Sequence, residues 1–195
     1  MEPLWWATRD GDKTCLAMYE RHYSSRNYAD GRKRRRFVGP GDPFVLRTAA
    51  GDAFFVWRRF RDACIDQRTG QPQAGVNCVA FRNEGKARSS ELIRQADAIA
   101  DAIWPDLRHY TYVSQEDVRG GLPGACFLFA GWRYVRIRGH RARTKSGLLI
   151  LERSRSHGSR DVPALGRHSS LSRRCSEVNE ANYPSFSATD EGDAE

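Results

Sequence analysis

Long apolar runs are missing from this chain. No uninterrupted apolar stretch approaches the roughly 20 residues that a bilayer-spanning helix needs, which excludes such a helix. Glu2 and Asp10 are at odds with a secretory leader. Paired cysteines are missing too. Cys15, Cys64, Cys78, Cys126 and Cys175 are odd in number and scattered, and no two have metal-ligand spacing. That pattern argues against a disulfide scaffold or a zinc ribbon and predicts buried free thiols in a cytoplasmic protein. The third shortage is acid. Residues 1–152 hold 26 Lys/Arg against 17 Asp/Glu, and no carboxylate cluster stands outside residues 153–195. A pocket for a small cationic amine calls for such a cluster. The basic excess suits a polyanionic partner instead, either nucleic acid or a phosphorylated cofactor. A merely soluble basic surface is the alternative.

What the chain does have is one strongly patterned stretch, Val76 to Trp104. The run Val76-Asn77-Cys78-Val79-Ala80-Phe81 is apolar and rich in β-formers, which predicts a buried strand. Leu92, Ile93, Ala96, Ile99, Ala100 and Ile103 then form one stripe at helical spacing. Ser89 or Ser90 suits the N-cap, Glu91 complements the helix dipole, and Pro105 marks the stop. Between strand and helix lies Arg82-Asn83-Glu84-Gly85-Lys86-Ala87-Arg88. A helix start leaves N–H groups unpaired, Gly85 and Ala87 allow close approach, and Lys86 and Arg88 add charge. The expectation is a pyrophosphate cradle over Arg82, Gly85, Lys86, Ala87, Arg88, Ser89 and Ser90. The alternative is a plain strand-to-helix turn with solvated basic side chains.

Earlier in the chain, Leu4–Ala7 predicts a short strand and Lys13–Arg21 a helix. The helix ends at His22-Tyr23-Ser24. His22 is suited to act as a base near neutral pH or as a metal ligand, and Tyr23 to donate a proton or stack on a base. Alternatively, His22 caps the helix and Tyr23 packs. Arg32-Lys33-Arg34-Arg35-Arg36 follows as five consecutive cations flanked by Tyr28 and Phe37. It reads as a phosphate-tracking arm with aromatics able to stack on bases, or as a solvated loop or localisation signal. Phe44–Thr48 and Ala53–Trp57 predict a hairpin, and Arg108–Val113 another strand. Ala125–Ala130 predicts a short helix and Tyr134–Arg138 a strand. A basic loop from Gly139 to Gly147 and a final hairpin at Leu148–Leu151 follow. From Arg153 the composition collapses to Ser, Arg, His and Gly with an acidic end, which predicts a disordered tail over 153–195 behind a folded domain over 1–152.

Arg82-x-x-Gly85-x-Ala87, between a strand and a helix, resembles the acyl-CoA pyrophosphate loop of the GNAT acyltransferases. Ala125, Gly131 and Trp132 fill three places of that family's fourth-helix pattern. The resemblance implies an α+β fold in αβα layers, with a mixed central sheet and flanking helices. It also implies acetyl-CoA or another acyl-CoA as cofactor. Leu122 stands where Asn is common, and Phe127 stands where many GNAT enzymes place the Tyr that protonates the leaving thiolate. Tyr112 then becomes the candidate proton donor, and Glu84 a candidate base or a surface carboxylate. His22-Tyr23-Ser24 and the Gly-rich approach to Trp132 are similar to the Mom-type DNA modification proteins of phages. That similarity implies elaboration of adenine in DNA and a bound iron, with His22 as a possible ligand. The leading expectation is therefore a phage- or prophage-type transferase modifying a base in DNA. An N-acetyltransferase of a small or protein amine, and a non-catalytic nucleic-acid-binding protein, stand as alternatives.

Overall fold

The computed structural model describes residues 4–25, 34–60, 75–118, 121–144 and 146–153. Arg32, Lys33, Tyr28, Cys64, Cys175 and the tail from 154 onward lie outside the described residues. In chain order the elements are β1 (Trp6–Thr8), α1 (Lys13–Glu20), β2 (Asp42–Arg47), β3 (Ala53–Arg59) and β4 (Val76–Asn83). Then come α2 (Ser89–Ile103), β5 (His109–Val113), α3 (Ala125–Phe129), β6 (Arg133–Tyr134), β7 (Arg136–Ile137), β8 (His140–Arg141) and β9 (Leu149–Arg153). Seven strands form one mixed sheet in the order β1-β2-β3-β4-β5-β9-β6. The α+β class holds. Every neighbouring pair is antiparallel except β4–β5, which is parallel with α2 as its crossover.

Strand alternation sends successive side chains to opposite faces. In β3, Ala53, Phe55 and Trp57 face one core, while Phe54 and Val56 face the other. The first core takes the α2 stripe of Leu92, Ile93, Ala96, Ile99 and Ala100, together with Phe127 of α3 and Trp132. The second takes Cys15, Met18 and Tyr19 of α1 against Val45, Phe54, Val56 and Ala80. Helices therefore cover both faces, as the layered expectation required. Two indoles fasten α2: Trp5 Nε1 donates to the Leu92 carbonyl at 2.8 Å and Trp57 Nε1 to the Ala96 carbonyl at 3.2 Å. Each large side chain buried this way contributes about 1.5–3 kcal/mol.

A buried polar tie holds the far end of α2. Asp97 accepts from His109 Nδ1 at 2.9 Å and from Trp132 Nε1 at 2.8 Å. His109 Nε2 lies 3.3 Å from Asp101 Oδ1 without hydrogen-bond alignment, and Arg153 donates to Asp101 at 2.8 Å. Arg153 is the last residue of β9, so the sheet runs one residue past the expected boundary at 152.

Three local expectations need correction. The N-cap of α2 is Arg88, with no side-chain cap hydrogen bond, because the Ser89 hydroxyl turns back to accept from Asn83. The expected strand Tyr134–Arg138 breaks at Val135, whose N–H donates to Ile150, and the chain leaves the sheet as the β7–β8 hairpin. β8 thus lies inside the expected loop. Phe37 is buried between Tyr19 and Phe54, so it has no free face for a base.

Candidate functional site

The site is built where β4 and β5 part. They pair only over Val76–Cys78 and His109–Thr111. At the next residue β4 carries a bulge: Val56 and Trp57 of β3 stand opposite Ala80 and Cys78, leaving Val79 as the extra residue. Bulges bend a strand and sharpen its twist. Here the bend begins where the β4–β5 ladder ends, so the carboxyl-terminal halves of the two strands diverge. In open sheets, ligands bind outside the carboxyl ends of the strands. β4 and β5 are the one parallel pair among the described strands, so here two neighbouring carboxyl ends leave the sheet side by side.

Three segments converge at this edge. From β4 comes the loop to α2. Asn83 organises it: its amide nitrogen donates to the Ala87 carbonyl at 2.7 Å and to Ser89 Oγ at 3.0 Å, and its side-chain oxygen accepts the Gly85 N–H at 2.9 Å. The start of α2 is consequently left uncapped, with the first-turn N–H groups of Ser89 and Ser90 lacking intrahelical partners. Lys86 and Arg88 are exposed beside it and form no ion pair among the described residues. This arrangement fits an anionic phosphate. Gly85 serves another purpose. A Cβ built on it would overlap the Asp52 carboxylate, which is itself held by the Thr48 hydroxyl at 2.6 Å. Gly85 is therefore required by the β2–β3 turn and not by an approaching pyrophosphate.

Glu84 and Arg82 are engaged with each other and with α1. Glu84 takes Arg21 at 2.6 and 3.0 Å and Arg82 at 2.6 Å, while Arg82 also donates to the Arg21 carbonyl at 2.7 Å. The Arg21 and Arg82 guanidiniums hold the Glu84 carboxyl down at about 2. So weak a base accepts a proton poorly at neutral pH. Glu84 latches α1 to the loop, and the candidate base role passes from it.

From α1 come His22 and Tyr23. The His22 ring lies 4.4 Å from Tyr23 and stacks parallel to Tyr19. Its Nδ1 meets Ser24 Oγ at 2.8 Å and accepts the Ser24 N–H at 3.2 Å, and the ring also bonds the Phe81 backbone. Burial, with Arg82 nearby, pushes its pKa down to about 4, so the ring is neutral at pH 7. Tyr23 reaches across the opening to β5. Its hydroxyl lies 3.5 Å from the Tyr112 carbonyl and takes a hydrogen bond from the Ser114 backbone. Loss of hydration pushes this phenol up to about 12, and Cys78, Asp117 and Cys126 add to the rise. The ring itself stays 45% exposed, so an incoming molecule can reach it.

From β5 come the Tyr112 and Ser114 backbones. The Tyr112 side chain turns to the Tyr110 ring, 5.7 Å away, so Tyr112 enters the site through its carbonyl. Phe127 is buried against Trp132 and Phe81. Arg34 covers the Tyr19 ring at 5.3 Å, one ring from His22. Arg35 and Arg36 are exposed close by in sequence.

Sequence reasoning thus named His22, Tyr23, Arg82, Glu84 and the 85–90 loop, which fold to one edge. It missed Asn83, Ser114, Cys126 and Arg21. Asn83-x-Gly85 was a readable turn signal; the other three depend on packing between segments distant in sequence. Among the described residues, no group of three His, Cys, Asp or Glu side chains is placed to hold a metal. His22 has Arg82 as neighbour and Nδ1 engaged, so this donor set does not fit the iron that the Mom-type resemblance implied. No protein family, curated protein or solved structure matches the chain.

Proposed function

We propose that this protein is a GNAT-like acyl-CoA-utilising transferase that modifies a base in DNA. The observation that carries the reading is the edge where β4 and β5 part. The uncapped α2 start, flanked by Lys86 and Arg88, faces the same edge as the His22–Tyr23 pair. Ser89 and Ser90 N–H groups, Lys86 and Arg88 would hold a cofactor pyrophosphate, and the bound thioester would supply the activated acyl group.

The chain's own groups then divide the work. A base amine is a weak nucleophile because its lone pair is delocalised into the ring, so positioning matters as much as proton transfer. The exposed Tyr23 ring offers a stacking face. Its hydroxyl keeps its proton at neutral pH and takes over the donor role first expected of Tyr112. His22 stays neutral and holds Tyr23 in place. Arg34 to Arg36 lie on the side from which a polyanion would arrive.

Mass spectrometry of nucleosides from DNA of expressing cells tests the reading. A new nucleoside mass with wild type, lost with Tyr23→Phe, is the expected result. CoA binding by calorimetry without any new nucleoside would move the assignment to an amine acetyltransferase. DNA binding without CoA affinity would leave a non-catalytic nucleic-acid-binding protein.

A further inference from the structure

We infer that the β7–β8 hairpin is a duplex-DNA-binding ribbon that delivers the polynucleotide to the edge where β4 and β5 part. No Asp or Glu occurs between Asp117 and Glu152, a stretch that carries Arg133, Arg136, Arg138, Arg141 and Arg143. The hairpin pairs Arg136 with Arg141 and Ile137 with His140, and it leaves the sheet with every one of its residues exposed. Arg138 and Gly139 close it as a two-residue turn, both at positive φ, +48° and +82°. Asn-Gly is the pair such a turn favours. An arginine in that left-handed position places a cation at the tip at a conformational cost, and its side chain makes no hydrogen bond or ion pair among the described residues. Ile137 beside it is 45% exposed. Arg136 is braced on the Gly139 carbonyl at 2.9 Å and Arg141 over the Tyr134 ring at 4.1 Å. The ribbon is thus ordered before any partner arrives.

Register places the hairpin. β9 runs antiparallel to β5 with Leu149 opposite Val113, so Leu149 lies at the carboxyl end of β5. β6 meets β9 at Glu152 and Leu151, and Val135 continues to Ile150, so the chain climbs towards that same end before the hairpin departs. At its root, Arg143 donates to Gln115 at 2.6 Å, one residue beyond the Ser114 that contacts Tyr23. Ribbon and site therefore share one edge of the sheet. Two strands about 4.8 Å apart fit the major groove of B-DNA, about 12 Å wide, whereas the A-form RNA groove is too narrow.

The proposal rests on the DNA reading above, and the test separates the two. Binding of a short fluorescent DNA duplex is measured against salt for wild type, for the triple variant Arg136→Gln, Arg138→Gln, Arg141→Gln, and for Arg59→Gln at the opposite edge of the sheet. Each phosphate contact contributes about 0.9 to the slope, so the triple variant should lose roughly 2–3 units and roughly a hundredfold in affinity near 0.1 M salt. Arg59→Gln should leave both unchanged. Thermal melts of all three proteins establish that the fold is kept, and Ile137→Asp supplies a second, independently folded probe of the tip. An unchanged slope in a folded triple variant overturns the ribbon while the DNA reading stands. Failure of wild type to bind duplex DNA overturns both. Equal or tighter hairpin-dependent binding of double-stranded RNA overturns the assignment to DNA.

Discussion

His22 loses hydration against Tyr19 and Tyr23 while Arg82 repels its proton, and the ring titrates at about 4 instead of 6.5. Between those values the unfolded chain holds the extra proton and the folded chain does not. Stability therefore rises with pH through that window and is lost as pH falls from about 6.5 towards 4. His22→Gln removes this titration. The difference in unfolding free energy between pH 4 and pH 7, read by urea titration, should shrink by on the order of 2 kcal/mol. An unchanged profile would mean that the ring is solvated. At the hairpin tip the sign is opposite to function. Arg138→Asn relieves a left-handed arginine and should stabilise the fold by about 0.5–1 kcal/mol while weakening DNA binding. A variant that loses both stability and binding would show that Arg138 is structural.

The helix α2 and the strands beside it show which elements a sequence reveals. The stripe at Leu92, Ile93, Ala96, Ile99 and Ala100 is written in local spacing and folds as read, whereas Ile103, expected to extend it, is the last residue of the helix and stays exposed. The β2–β3 hairpin and the β4 strand were legible for the same reason, since alternation and β-formers are local signals. The bulge at Val79 was not, because Cys78–Phe81 reads as one unbroken apolar run and only pairing with β3 exposes the extra residue. β7 and β8, two residues each, are too short to carry a pattern. Gly85 looked like a cofactor glycine because Asp52, which occupies the space above it, lies 33 positions earlier in the chain. Gly85→Ala should accordingly lower stability whether or not CoA is present. Lys86→Gln with Arg88→Gln should instead weaken CoA affinity in calorimetry and leave the melting temperature within about a degree, as exposed substitutions do. Asp97 was hidden likewise: a polar residue on an apolar helix face gave no sign of His109, Trp132 and Arg153. Asp97→Ala strands His109 and the Trp132 N–H in the core and should cost about 3–5 kcal/mol in denaturant titration. A loss under 1 kcal/mol would show that water reaches the pair.

At the scale of the whole molecule, cations stand at both ends of the strands, with Arg58, Arg59, Arg108 and Arg153 at the amino end of β4 and β5. The site latch, the described arginines at 34–36 and the β7–β8 hairpin bring cations to the α1 end and to the carboxyl edge of β4 and β5. No helix of the described residues is long and apolar enough to cross a membrane. Residues 154–195 reverse the balance. They hold five Lys/Arg and seven Asp/Glu, and removing them takes the formal charge from +8 to +10. The sheet closes through Arg153, whose guanidinium binds Asp101, so the cut must fall after that residue. A chain ending at 153 should therefore melt cooperatively at the wild-type temperature, whereas one ending at 152 loses the Asp101 contact and melts lower. The acidic end, Asp190 to Glu195, carries four carboxylates, opposite in sign to the basic body. Its removal should raise affinity for duplex DNA several-fold at low salt, with the gain fading as salt is raised. An affinity that is unchanged at low salt would mean that the acidic end keeps away from the body. A chain that unfolds when cut after Arg153 would place part of the fold beyond that residue.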